Sequence, residues 1–430
     1  MTSPDISGVL VAIYGATQAS AKRQMPRHIP SGGRRKPVNL RISELFVAIL
    51  SFQLRRHHSA ATGASAQEGE IYISSDGPDP SLSEEPATLL LQTIESAVRA
   101  TSTDTAPLRE ALTLAIYPAL CQRADDLTAC MNFVKRLGPK KANTSTAILG
   151  HANIELLEQH FAALAGMTAS GISPKGSAGE LWGVLHGISH SIEAGKLTFL
   201  KVLDPTVGDF LCDLRAVTTA IIGLTAEDRL INILASMPPV QLIFFPTAPP
   251  TPFDAELTVS ILENLCQDLL PWSQILPWQE AFDRIIDQCP SSLIKEGSHY
   301  RSQDGAHVHC EAALMTYILS KNISIHRDVS SSRRLCYACH ALMQVINECG
   351  EQCFEVSSTL SGDTEVALPW VCPPLVAEVK AKFEKRLVSD LKEYVSKLAQ
   401  KMPIFPEPDE EWGWPLEAAE SPDAPSETLE

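Results

Sequence analysis

The chain has 430 residues, of which 44% are hydrophobic and 20% charged, and its mean hydropathy is zero. This composition is typical of one large globular domain or several smaller ones, and it excludes a wholly disordered or collagen-like chain. The net charge of −16 excludes a protein that coats nucleic acid with a uniformly basic surface.

No segment of the sequence is typical of export or of a membrane span. The uncharged run at 6–21 follows Asp5 and lacks a basic n-region, so we do not expect a signal peptide. The uncharged run at 230–253 is interrupted by prolines, so a single bilayer-spanning helix is not expected either. The eleven cysteines are therefore predicted to be reduced thiols, metal ligands or catalytic groups of an intracellular protein, in the cytoplasm, the nucleus or the mitochondrion.

Charge and composition divide the chain into four predicted segments. Residues 1–85 are predicted to be a partly disordered basic region. Its first 60 residues contain nine Lys/Arg and only two acidic residues, Asp5 and Glu44. Residues 86–290 are a helical region of unknown role, residues 291–402 a compact α/β domain, and residues 403–430 a disordered tail with nine acids and no base. The basic region fits a transit peptide, a nucleic-acid arm, a nuclear signal or a solvated tail.

Apolar periodicity predicts the secondary structure in chain order. A short helix is expected at Ile42–Leu54, and helices dominate residues 86–290. Beyond residue 290 short strands and helices alternate, which indicates an α/β layer structure. The predicted elements there are a strand or hairpin at Leu293–Arg301, a helix at His309–Leu319, a strand at Ile323–Val329, a helix at Cys336–Asn347, a strand at Cys353–Ser357 and a long helix after Pro374.

One group of residues has the spacing of a metal centre. His309-Cys-Glu311 is followed, after twenty-four residues, by Cys336-Tyr-Ala-Cys339. One imidazole and two thiolates supply three ligands of a tetrahedral Zn²⁺ and leave a fourth position for water, which loses its proton near neutral pH when zinc binds it. Glu311 lies two residues after His309 at a predicted helix start, where it can act as a proton shuttle. The sequence therefore predicts Zn²⁺ at His309, Cys336 and Cys339, with Glu311 as the catalytic acid and base.

The His-x-Glu and Cys-x-x-Cys pattern resembles that of the zinc-dependent cytidine/nucleotide deaminase superfamily. The segments Ser331–His340 and Leu368–Pro374 are most similar to the fungal-type OTT_1508-like deaminase family, and the resemblance covers about residues 291–375. It implies a C-terminal three-layer α/β/α domain with a central mixed sheet, preceded by a mostly α-helical region.

The same resemblance implies hydrolytic deamination. Zinc hydroxide would attack the amidine carbon of a nucleobase, Glu311 would move the proton to the departing amine, and ammonia would leave. The implied partner is a nucleobase-containing small molecule or a single-stranded nucleic acid.

Several alternatives stay open at this stage. His307 could replace His309 as a ligand, and Cys310 could also be recruited. A closed structural zinc site would need a fourth ligand, for which the sequence offers His340, Cys349 and Cys353. The chain would then be a non-catalytic scaffold whose helical region binds other proteins. A purely helical interaction scaffold with chance cysteines is a third reading.

A second histidine motif is weaker. His186 and His190 share a helix face, as the two histidines of a zinc protease do, with Glu193 one turn further. Gly187 stands where the general base of such a protease would be. This motif is therefore interpreted as a helix surface.

Overall fold

The structure, a computed structural model, describes the chain in separate ranges. These are residues 5–19, 27–28, 38–54, 60–65, 69–75, 81–100, 105–137, 151–169, 177–192, 204–225, 240–245, 251–267, 277–303, 305–331, 335–350, 353–358, 362–363, 366–400 and 402. Within them the protein is a mixed α/β molecule in which helices predominate around a small mixed sheet. The predicted tail at 403–430 lies outside the described residues.

The helices of the described residues are numbered in chain order. They are α1 Ile6–Ala19, α2 Val38–Gln53, α3 Ser81–Ala100, α4 Ala106–Gln122, α5 Ala124–Leu137, α6 His151–Ala169, α7 Ala178–Ser191, α8 Pro205–Thr225, α9 Val259–Cys266, α10 Trp278–Ile286, α11 Cys310–Lys321, α12 Tyr337–Cys349 and α13 Ala377–Ala399. No helix among the described residues combines the length and the apolarity that a bilayer span requires.

The strands of the described residues form three sheets. They are β1 Arg27–His28, β2 Ala60–Ser65, β3 Glu70–Ser75, β4 Gln241–Phe244, β5 Asp254–Glu256, β6 Leu293–Glu296, β7 His299–Ser302, β8 Ile325–Ser331, β9 Glu355–Ser358 and β10 Gly362–Asp363. The largest sheet has the order β4-β3-β2-β8-β9, with β2 antiparallel to both neighbours and the outer pairs parallel. A smaller antiparallel sheet has the order β5-β7-β6, and β1 pairs with β10.

Two hydrophobic cores lie on opposite faces of the five-stranded sheet. Successive residues of a strand point to opposite faces, and on β3 Tyr72 enters one core while Ile71 and Ile73 enter the other. The core with Tyr72 contains α1 and α9 to α13, and we call this side the metal side. The core with Ile71 and Ile73 contains α2 to α8, and we call it the helical side. The sheet is therefore covered by helices on both faces.

Helix α1 is a central element of the metal side. Asp5 accepts hydrogen bonds from the backbone N–H groups of Ser7 and Gly8, which satisfies free donors at the helix start. The helix carries no charged residue, and ten of its fourteen residues are buried against α13, α10 and β5. At Gly15, an added Cβ would lie 2.2 Å from the carbonyl oxygen of Ile285 in α10, so only glycine allows this approach.

The predicted elements beyond residue 290 are confirmed with small shifts at their ends. Residues 293–302 form the hairpin β6–β7, and the zinc-motif halves precede α11 and α12. The long helix predicted after Pro374 is α13, whereas Val376, at its start, is 69% exposed. The helix predicted at Ile42–Leu54 is α2, which begins four residues earlier.

The five-stranded sheet draws its strands from three of the four predicted segments. The hairpin β2–β3 comes from the N-terminal segment, β4 from the segment at 86–290, and β8 and β9 from the segment at 291–402. Packing therefore joins parts of the chain that composition alone separates, because β2 hydrogen-bonds directly to β8.

Candidate metal centre

The two halves of the zinc motif lie where extended chain turns into helix. His309 has φ −61° and ψ 140° and precedes α11, whereas Cys336 has φ −70° and ψ 160° and precedes α12. Cys336 Sγ accepts a hydrogen bond from the backbone N–H of Cys339 at 3.4 Å, which caps α12. Cys339 follows within the first turn, so both thiols lie near the positive end of the helix dipole.

The three predicted ligands converge. His309 Nδ1 lies 3.3 Å from Cys336 Sγ and 3.6 Å from Cys339 Sγ, and the ligand atoms of the three residues all lie within 4.8 Å of one another. A tetrahedral Zn²⁺ with Zn–N of about 2.0–2.1 Å and Zn–S of about 2.3 Å places its nitrogen and sulfur ligands about 3.6 Å apart. The group could therefore hold a metal ion. Its ligand types and their spacing fit the geometry of zinc.

The pKa values of the two thiols are shifted in opposite directions. Burial raises the pKa of Cys336, but its hydrogen bond with Cys339 and the charge of His309 outweigh burial, and the pKa lies well below its usual range. Burial and the neighbouring Cys336 raise the pKa of Cys339 well above its usual range. A metal ion binds thiolates, so metal binding at this pair would release any proton that the two thiols carry.

Glu311 lies beside the ligands without joining them. Its side chain is on the first turn of α11, it is buried, and it belongs to no metal-ligand group among the described residues. The hydroxyl of Ser331, at the end of β8, donates to Glu311 Oε1 at 2.5 Å. Burial raises the pKa of Glu311, although the charge of His309 and the Ser331 hydrogen bond lower it. The Ser331 hydrogen bond therefore fixes the carboxyl group, which is electrostatically coupled to His309 and Cys336.

The alternative ligands stay apart from the group. Among the described residues, the cluster contains only His309, Cys336 and Cys339, and neither His307 nor Cys310 joins it. His340, Cys349 and Cys353 are also outside the cluster, and Cys353 is exposed. In the described part of the chain, no fourth protein ligand belongs to this cluster.

The second histidine motif does not form a comparable site. The rings of His186 and His190 stack along α7 with centroids 6.0 Å apart, and His186 also faces Trp182 at 5.6 Å. His160 of α6 packs against Gly187, where it fills the space that a larger side chain would need. In the described residues these histidines belong to no group of three ligands. Glu193 lies outside the described residues.

Two residues at the centre were not assigned a role from the sequence. Ser331 contacts Glu311, and the indole Nε1–H of Trp370 donates to Cys339 Sγ at 3.4 Å. Both residues lie in the segments that carry the family resemblance, which was the available signal. Their contacts join residues 20 and 31 positions apart, so spacing alone could not identify them.

Comparisons with known proteins do not extend this account. A scan against protein-family models, a search of curated proteins and a search of solved structures each found no match. The function must therefore be argued from the geometry of the centre.

Proposed function

We propose that the chain is a zinc-dependent hydrolytic deaminase that acts on a nucleobase in a nucleotide or a nucleic acid. The observation that carries the proposal is the convergence of one imidazole and two thiols beside a separate, buried carboxyl group. Three nitrogen and sulfur ligands with an open fourth position are characteristic of catalytic zinc, whereas structural zinc sites have four protein ligands.

The residues divide into a metal-binding part and a proton-transfer part. His309, Cys336 and Cys339 would hold the zinc ion, and the bound ion would supply an activated water molecule for attack on the amidine carbon. Glu311 would accept a proton from the attacking water and would donate it to the departing amine. Ser331 holds the Glu311 carboxyl group in place through the hydrogen bond to Oε1.

The fold supports the same proposal. The deaminase-like three-layer domain that we propose needs a mixed sheet with helices on both faces, and the five-stranded sheet is covered by α11 on one side and α2 on the other. Glu311 and both thiols are carried by the first turns of α11 and α12, on the metal side of this sheet.

Zinc content measured together with ammonia release tests the proposal. The substrates would be cytidine, adenosine, guanosine, their nucleotides, and single-stranded DNA and RNA. We expect one zinc per wild-type chain and ammonia release from one of these bases. The Glu311→Gln variant should keep its zinc and lose activity by about 10²–10⁴-fold, because only proton transfer is removed.

A matched variant separates the carboxyl group from its surroundings. Glu348 lies on α12 outside the metal-ligand group, so Glu348→Gln should leave both zinc content and ammonia release unchanged. Ammonia release by Glu311→Gln at the wild-type rate would contradict the assigned role. Zinc without ammonia release from any substrate would instead favour the non-catalytic scaffold, with the helical side as its protein-binding part.

A further inference from the structure

Trp370 lies behind the metal centre. It is fully buried in the segment that precedes α13, and its indole N–H donates to Cys339 Sγ at 3.4 Å. Its ring packs against Phe383 of α13, with centroids 5.7 Å apart and planes at 50°. The indole group is therefore held by the core on one side and reaches the thiol on the other.

The N–H groups that donate hydrogen bonds to the two sulfur atoms come from different parts of the chain. Cys336 Sγ accepts from the backbone N–H of Cys339, a contact that the helix start itself provides. Cys339 Sγ accepts from the side chain of Trp370, which comes 31 residues later in the sequence. A substitution can remove the second hydrogen bond without touching either cysteine, whereas the first belongs to the backbone of the motif.

We propose that Trp370 is a positioning residue of the metal centre, whose N–H···S hydrogen bond orients Cys339 and strengthens metal binding. The inference rests on the proposed metal site but not on deamination. A hydrogen bond to a thiolate withdraws electron density from sulfur and restricts its direction. Residues that orient metal ligands in this way typically change metal affinity by about 10–100-fold when they are replaced.

Cobalt substitution tests the proposal with a spectroscopic signature. Co²⁺ bound by thiolates gives a sulfur-to-metal charge-transfer band whose energy depends on the electron density of the sulfur. In the full-length Trp370→Phe variant we expect this band to move to lower energy and Co²⁺ affinity to fall by about 10–100-fold. Phe383→Leu is the matched control, because it disturbs the same packing but keeps the N–H donor.

A second measurement uses the wild-type chain and so does not depend on how well a variant folds. When the protein is loaded with ¹¹³Cd and labelled with ¹⁵N-tryptophan, one of its six indole N–H protons should show scalar coupling to the metal through the N–H···S bond. That signal belongs to Trp370, because its indole contacts Cys339 Sγ.

The outcomes separate this inference from the proposed function. Cadmium binding without any coupled indole proton would overturn the role of Trp370 and leave the metal site intact. An equal band shift in Phe383→Leu and Trp370→Phe would also overturn it, because packing alone would then explain the effect. A wild-type chain that binds neither Co²⁺ nor Cd²⁺ would overturn the metal site itself, and the inference with it.

Discussion

The two sides of the five-stranded sheet each contain a buried polar centre, and the two centres differ in kind. On the metal side, His309, Cys336 and Cys339 direct electron-pair donors toward one another. On the helical side, Arg123 is paired at 2.9 Å with both Asp126 and Asp213, and it lies over the rings of Phe52 and Phe210. The first group consists of electron-pair donors that could bind a metal cation. The second group contains a cationic side chain, Arg123, which is paired with two carboxylates.

Because of this difference, we propose a catalytic role for the His309, Cys336 and Cys339 group and a structural role for Arg123. A buried charge is stable when it is paired and hydrogen-bonded, and Arg123 meets both conditions. The side chains of Arg123 and Asp126 are only 10% and 7% exposed, so their contacts hold α4 and α5 against α8. Burial alone does not identify a functional site, whereas the convergent ligand atoms of His309, Cys336 and Cys339 form a group that could hold a metal ion.

The largest effect should follow loss of a metal ligand. Cys336→Ser removes one of three protein ligands, and we expect zinc content to fall from one per chain to near zero after mild chelation. The matched control is the double variant His186→Ala/His190→Ala, which removes two histidines that only stack on a helix surface. It should keep all of its zinc. Metal analysis after gel filtration checks both, and zinc loss in the double variant would contradict the assignment of the site.

The free energy of unfolding tests whether Arg123 stabilises the fold. Arg123→Met removes the cation that is paired with the buried Asp126 carboxylate, and we expect a loss of about 3–5 kcal/mol in the free energy of unfolding. Arg136→Met is the control, since the ion pair of Arg136 with Asp204 is solvent-exposed and should be worth less than about 1 kcal/mol. Urea unfolding measures both values. Equal effects of the two variants would remove the distinction between the centres.

Glycine-to-alanine substitutions on the two sides of the sheet should change the free energy of unfolding in opposite directions, because the space around the two glycines differs. Gly15→Ala places a Cβ against the Ile285 backbone, and we expect a loss of about 1–3 kcal/mol in unfolding free energy, because neither backbone can move freely. Gly183 lies inside α7 with no atom within 4 Å of an added Cβ. Gly183→Ala should therefore stabilise the protein by about 0.5–1 kcal/mol, as alanine does in a helix interior. Thermal unfolding would contradict this if both substitutions shifted the midpoint in the same direction.

The smallest effect concerns thiol reactivity in the two interiors. Burial raises the pKa of Cys266, on the metal side, to about 12, and it has the same effect on Cys130, on the helical side, where the charge of Asp126 adds to it. A raised pKa keeps a thiol protonated at pH 8, so both cysteines should react slowly with iodoacetamide in the native protein. The exposed Cys353 should react first. Mass spectrometry of timed samples gives the order of modification, and early labelling of Cys130 or Cys266 would contradict the described cores.

The sequence predicted the local elements around the centre better than the sheet that supports them. Apolar periodicity and motif spacing predict the helices around Glu311 and the two cysteines, and the observed α11 and α12 confirm them. Strand β2, at Ala60–Ser65, contains only Ala, Thr, Gly and Ser, and of these only Thr is a residue enriched in strands. It is a central strand because β3 and β8 pair with it, and such long-range pairing is not encoded in local composition.

The N-terminal helix was also missed for a physical reason. The uncharged run at 6–21 was considered only as an export signal, since its apolar residues have no clear polar face. Such a helix is buried on all sides, and the partners that bury α1 come from residues 254–256, 278–286 and 377–399. The role of Trp370 escaped prediction for the same reason, because its contact depends on how distant segments pack.

X-ray absorption spectroscopy of the zinc-loaded, full-length protein tests the central claim most directly. The account predicts two sulfur atoms at about 2.3 Å and two nitrogen or oxygen atoms at about 2.0–2.1 Å, from Cys336, Cys339, His309 and a water molecule. In Cys339→Ser one sulfur should disappear from this shell. A shell of three or four sulfur atoms would mean a closed structural site, and a shell without sulfur would mean that zinc binds elsewhere. Either result would contradict a catalytic zinc at this centre.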